Sequence, residues 1–168
     1  GIIGLGFVGL SLTSVLSSKG FDVVGVEIDK EKCKKITRGI LPFYEPGLEK
    51  TLKNGLKKKL KISEDFSLIN NCDLLFVTVG TPQDVNGAID LSIIKKAVTS
   101  IGKNLKESKK QQVIIIKSTV VPGTMNNVIL PILEKFSKKK AEKDFGLISN
   151  PEFLQESTAI RDTKYPHV

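Results

Sequence analysis

Tryptophan is absent from the 168-residue sequence, methionine and histidine occur once each, and there are two cysteines. Cys33 and Cys72 stand far apart and in no metal-ligand spacing. Both are read as structural thiols in a reduced, cytoplasmic setting, and no metal is expected. The single histidine, His167, is read as a surface residue rather than a ligand. No apolar run approaches the length that crosses a bilayer and no secretory signal is visible, so a membrane is not an expected partner. Internal repeats, low-complexity tracts and linkers are missing as well. An initiator methionine is lacking, and only three residues precede Gly4, fewer than the five or six of an ordinary strand. The chain stops at Tyr165-Pro166-His167-Val168 with no helix or strand closed. The expectation is a single domain over residues 1–168, truncated at its first strand and forming the N-terminal part of something longer.

Acidic residues are in deficit, 18 against 26 basic, for a net charge of +8. Such an excess can mark a nucleic-acid binder, but the lysines gather as Lys57-Lys58-Lys59, Lys109-Lys110 and Lys138-Lys139-Lys140. Each cluster lies between an expected helix and an expected strand, with no aromatic residues interleaved to stack bases. They are read as solvated surface that also helps to attract anionic nucleotides, and nucleic acid is not an expected partner.

What the sequence does have is Gly4-x-Gly6-x-x-Gly9, entered from Ile2-Ile3 and left through small and apolar residues to Leu16. The glycines therefore sit where a strand turns into a helix. The first makes a tight turn, the second lets backbone approach a pyrophosphate, and the third lets helix pack on strand, while helix N–H groups meet the phosphates. A second strand, Phe21 to Val26, ends about twenty residues on at Glu27-Ile28-Asp29, where an acidic side chain accepts hydrogen bonds from an adenosine ribose. Glu27 is the better candidate, because Asp29 stands where the N-cap of a helix from Lys30 to Arg38 belongs. A carboxylate at this position repels a 2′-phosphate, which favours NAD over NADP, although Lys30 and Lys32 lie close by.

The rest of the chain alternates. The Lys30 helix ends at Arg38-Gly39, and Pro46 is placed to open a helix that runs through Leu52 to Asn54-Gly55. Leu60-Lys61-Ile62 reads as a short strand and Phe66 to Ile69 as a helical turn or two. Leu74 to Val79 and Val113 to Ile116 are uninterrupted apolar runs of the kind buried on both faces of a parallel sheet. Between them, Gln83 to Asp90 is loop with an Asn86-Gly87 turn, and Leu91 to Leu105 carries a helical apolar stripe. A helix from Met125 to Phe136 and a strand from Phe145 to Ser149 follow. Alternation of this kind predicts an α/β fold, a doubly wound Rossmann-type parallel sheet with helices on both faces. Ligands in such sheets bind beyond the carboxyl ends of the strands, which here carry Gly4 to Gly9, Glu27, Gly80-Thr81-Pro82, Lys117-Ser118-Thr119 and Asn150-Pro151-Glu152.

Taken together, Gly4-Leu-Gly-Phe-Val-Gly-Leu10, Tyr44-Glu-Pro-Gly-Leu48, Gly80-Thr-Pro82, Lys117-Ser-Thr-Val-Val-Pro-Gly-Thr124 and Asn150-Pro-Glu-Phe-Leu-Gln-Glu-Ser-Thr-Ala159 resemble the N-terminal domain of the UDP-glucose/GDP-mannose dehydrogenases. The resemblance implies an NAD-dependent enzyme that oxidises the C6 alcohol of a nucleotide sugar to a carboxylate in two successive hydride transfers. UDP-glucose is the first expectation for the substrate, GDP-mannose the second, and a UDP-N-acetylhexosamine fits the last motif less well. Carried over by motif, Gly6, Phe7, Val8 and Gly9 hold the pyrophosphate and Glu27 and Lys32 flank the ribose. Thr81 and Ser118 lie along the cofactor toward the nicotinamide. Thr119, Glu152 and Glu156 border the reacting carbon, and the Glu152-Phe153-Leu154 stretch meets the sugar. The family passes its second oxidation through a cysteine thioester. Neither Cys33 nor Cys72 matches that motif, so a fragment of this extent is expected to be inactive alone and to depend on absent central and C-terminal domains. The resemblance further implies a homo-oligomer for the full-length protein.

Each of these residues also has a purely structural use. Glu152 could cap a helix begun by Phe153-Leu154, Glu156 could pair with Arg161 on that helix, and Thr119 could satisfy backbone at a strand end. Lys117 could be a solvated terminus, and Tyr44-Glu45 could pin a loop. A non-catalytic NAD-sensing module would use the glycines and Glu27 but not Thr119, Glu152 or Glu156.

Overall fold

Residues 1–165 are described in the computed structural model, and His167 lies outside them. The chain packs as two compact units, one joining Ile2–Asp65 to the segment from Phe153, the other joining Gly1 to Phe66–Glu152.

In the first unit, β1 (Ile2–Ile3) runs into the turn at Gly4, whose φ of 91° is open to glycine and strained for other residues. The helix α1 (Phe7–Ser18) follows and ends at Lys19, with Gly20 beyond it at φ 97°. The next strand, β2 (Val23–Val26), is shorter than expected, and Phe21 is left exposed ahead of it. Asp29 caps α2 (Lys30–Thr37) as its position implies, accepting from the Lys32 amide at 3.0 Å. Pro46 does not open the next helix: Gly47 intervenes with φ 77°, and α3 spans Leu48–Leu56. β3 (Leu60–Ser63) completes a parallel sheet in the order β3-β2-β1, with Ile2 opposite Gly25 and Val23 opposite Leu60. The helix α6 (Ala159–Lys164) packs on α1.

In the second unit a 3₁₀ segment (Phe66–Asn71) precedes β4 (Leu74–Val77). The helix α4 (Ser92–Glu107) buries Ile94, Ala97, Val98, Ile101 and Leu105, the expected stripe apart from Leu91. β5 (Gln112–Ile116) lies between β4 and β6 (Phe145–Ser149), parallel to both. Ile114, Ile115 and Ile116 are buried in succession, which in a strand of period two requires cover on both faces. The expected Met125 to Phe136 helix divides into a π-helical turn (Met125–Ile129) and α5 (Leu130–Ser137). Pro131 lacks an amide and so breaks the regular hydrogen-bond ladder there.

The lysines of all three clusters are exposed, except Lys139, which is half-buried.

Candidate functional site at the strand ends

The first unit gathers one set of expected residues around the glycine turn. The Gly4 amide donates to the Val26 carbonyl at 2.9 Å, which fastens the turn to the end of β2. Gly6 is the N-cap of α1, with no side-chain cap and no acidic residue in the first turn. The first amides of a helix have no partner within it, so this end presents donors and a positive dipole to an anion. A Cβ built on Gly6 would meet nothing within 4 Å, so the turn is open on that side. Phe7, the first residue of α1, packs its ring on Phe43 at 5.4 Å between centroids.

Glu27 is 6 % exposed and is occupied on both oxygens. Its Oε2 accepts from the Leu5 amide at 3.1 Å and from Lys32 Nζ at 2.8 Å, and its Oε1 accepts from the Asp29 amide at 3.1 Å. A carboxylate offers about four acceptor positions, so one on Oε1 is not taken up by the described residues. Lys32, spent on Glu27, is drawn away from a 2′-phosphate. Open glycine turn, uncapped helix end and carboxylate with a reserved acceptor fit an unphosphorylated dinucleotide.

In the second unit, β4 and β5 are stitched beyond their ends. Ser118 is buried, and its Oγ donates to the Val79 carbonyl at 2.6 Å. Thr81 Oγ1 donates to the Thr119 carbonyl at 2.8 Å, so Thr81, Ser118 and Thr119 are neighbours. Lys117 is half-buried rather than solvated: its Nζ reaches Asn150 Oδ1 at 3.0 Å and the Asn150 carbonyl at 3.2 Å. Burial holds its ammonium below the ordinary lysine range, opposed by the nearby Glu152 carboxylate. Lys117, Asn150 and Glu152 thus form a second group on the ends of β5 and β6.

Phe153, Leu154 and Glu156 belong to the first unit. No helix starts at Phe153, since α6 begins only at Ala159, so Glu152 is not a helix cap. Nor does Glu156 pair with Arg161, whose Nε meets Asp162 Oδ1 at 3.2 Å. Glu156 is exposed on the turn before α6 and Phe153 is 75 % exposed. From its sequence position Glu45 is expected to do no more than pin a loop. In the structure its carboxylate accepts from the Ser157 and Ala159 amides, both at 2.9 Å. No local spacing reveals a partner more than a hundred residues away.

Cys33 is buried on α2, and desolvation raises its thiol pKa above the ordinary range, which suits a structural residue. Among the described residues no helix is long and apolar enough to cross a membrane.

The family model for the UDP-glucose/GDP-mannose dehydrogenase family, NAD binding domain, matches residues 1–168. The chain belongs to that family. It is 46% identical over 167 residues to a GDP-mannose 6-dehydrogenase of Pseudomonas syringae pv. tomato, covering 98% of this chain and 38% of the relative. To a UDP-glucose 6-dehydrogenase of Haloferax volcanii it is 36% identical over 165 residues, again 98% of this chain and 38% of the relative. A solved ternary complex of the Pseudomonas aeruginosa GDP-mannose dehydrogenase superposes with a TM-score of 0.95 at 42% identity, over 98% of this chain and 38% of that one. The fold is accordingly that of the Rossmann-type dehydrogenases, and NAD is the cofactor of the matched domain. The chain spans a little over a third of the length of these relatives.

Proposed function

We propose that this chain supplies the NAD site and part of the catalytic site of a nucleotide-sugar 6-dehydrogenase, which oxidises a C6 alcohol to a carboxylate in two hydride transfers. The observation that carries this reading is the similarity to GDP-mannose 6-dehydrogenases along nearly the whole chain. Higher identity to that group than to the UDP-glucose enzyme makes GDP-mannose the first substrate to test and UDP-glucose the second.

Gly6, Phe7, Val8 and Gly9 bind the pyrophosphate through backbone amides, Gly4 contributes the turn that brings the backbone to the cofactor, and Glu27 and Lys32 hold the adenosine ribose, Glu27 through its remaining acceptor position. Thr81 and Ser118 line the way to the nicotinamide. When bound, NAD supplies the hydride acceptor. Removing hydride from an alcohol requires its hydroxyl proton to leave too, so a carboxylate or a water it orients must lie within hydrogen-bond reach. Thr119, Glu152 and Glu156 serve that purpose, and Glu152, Phe153 and Leu154 meet the sugar. The remaining catalytic groups, a cysteine above all, come from the longer protein, which functions as a homo-oligomer in the cytoplasm.

The test is the ratio of NADH formed to sugar consumed by the full-length protein, with GDP-mannose, UDP-glucose and UDP-N-acetylmannosamine in parallel. Two NADH for each molecule of one sugar is the expected result and identifies the substrate. NAD binding without NADH from any of them would instead fit a sensing module.

A further inference from the structure

We infer that Glu45 is a positioning residue that fixes the turn carrying Glu156, an inference that rests on Glu156 acting at the reacting carbon. Glu45 lies in the loop between α2 and α3 and is 2 % exposed. Its Oε2 accepts from the Ser157 amide and its Oε1 from the Ala159 amide, each at 2.9 Å. Among the described residues it has no ion-pair partner, so these two amides compensate its burial.

Both donors belong to one small structure. The Thr158 amide donates to the Gln155 carbonyl at 3.2 Å, closing a turn with Glu156 and Ser157 at its corners. Ser157 has φ 71°, in the left-handed region that a non-glycine residue resists. Among the described residues the Ser157 side chain makes no hydrogen bond that would compensate this conformation, whereas its amide is held by Glu45. One carboxylate oxygen thus holds the strained corner next to Glu156, and the other fixes Ala159, the first residue of α6. With both ends held, the Glu156 side chain leaves a defined backbone on the exposed side of the turn.

Two donors facing two oxygens require a carboxylate. Glutamine has the same shape but turns an amide N–H group toward one of the two backbone donors, so Glu45→Gln removes one bond and adds a repulsion without changing side-chain volume. Misplacement of a reacting group by about 1 Å is enough to lower turnover by about a hundredfold.

The experiment compares full-length wild type, E45Q, E156Q and the double variant for kcat and NAD dissociation constant, together with hydrogen exchange of the peptide containing Ser157 and Ala159. E45Q is expected to lower kcat by about a hundredfold at unchanged NAD affinity and to speed exchange at Ser157–Ala159. It should lower kcat no further in the E156Q background, because both changes disable the same group. Wild-type turnover by E156Q would overturn both the role given to Glu156 and this inference. A damaging E156Q combined with a normal or fully additive E45Q would overturn this inference alone. Should E45Q fail to fold, exchange in the wild type decides: protected Ser157 and Ala159 amides sustain the clamp, and amides exchanging as in an open turn overturn it.

Discussion

Glu27 and Leu5 are joined by a 3.1 Å hydrogen bond from the Leu5 amide to Glu27 Oε2, so the carboxylate at the end of β2 holds the middle of the glycine turn. Glu27 is therefore both a ligand candidate and part of the scaffold. Its other contacts, with Asp29 and Lys32, tie the turn to the start of α2.

Glu27→Ala is expected to weaken NAD binding by about 1.5–3 kcal/mol, the usual worth of hydrogen bonds to a charged group. It also leaves the buried Leu5 amide without its acceptor, so the melting temperature should fall in the absence of NAD. Titration calorimetry and thermal unfolding separate the two effects. An unchanged dissociation constant with a lowered melting temperature would leave Glu27 as scaffold only.

The alternation of apolar strands with amphipathic helices was enough to place β1 to β6 and the long helix α4, because period two and period 3.6 survive in local sequence. The glycine turn and Glu27 were legible for the same reason, since spacing encodes them. Contacts that depend on distant partners were not. Glu45 finds its donors at Ser157 and Ala159, and Lys117 finds Asn150, through the meeting of strand ends and loops. Gly55 shows the same limit. Read as a helix stop, it lies inside α3, where a Cβ would fall on Ser17 Oγ of α1. It marks close helix packing, which has the same one-letter signature as a cap.

Gly55→Ala should therefore destabilise the protein by about 1–3 kcal/mol through overpacking, despite the gain of about 1 kcal/mol in helix propensity that the change brings elsewhere. Ser17 cannot readily turn aside, because it is buried and its Oγ already donates to the Ser14 carbonyl at 3.0 Å. Thermal unfolding of the variant checks the sign; a raised melting temperature would show that α1 and α3 can separate at this point.

Lys138→Gly should act in the opposite direction. Lys138 ends α5 with φ 59°, it is exposed, and among the described residues no side-chain bond compensates the left-handed conformation. Glycine removes the Cβ penalty at that cap, with an expected gain of about 0.5–1 kcal/mol after allowing for its greater unfolded-state entropy. The check is a denaturant melt of wild type and variant, and Lys138→Val should lose stability in the same assay because a branched Cβ resists positive φ more strongly.

Lys117 gives the chain a pH dependence of a particular sign. Burial lowers its pKa in the folded protein below the ordinary lysine value, so the folded state releases this proton at a lower pH than the unfolded state does. Between the two values the unfolded chain binds more protons, and stability rises with pH. Below the lowered value the ammonium is charged in both states and the desolvation cost is fully present. It fades as pH rises through the lowered value toward the ordinary one. Lys117→Met lacks this group, so wild type should gain stability relative to the variant as pH rises through the alkaline range toward the ordinary lysine pKa of about 10.4, whatever constant offset the lost Asn150 contacts introduce. Denaturant unfolding of both proteins across that range measures the slope. A difference that stays flat would mean that Lys117 is as well hydrated in the folded protein as a surface lysine.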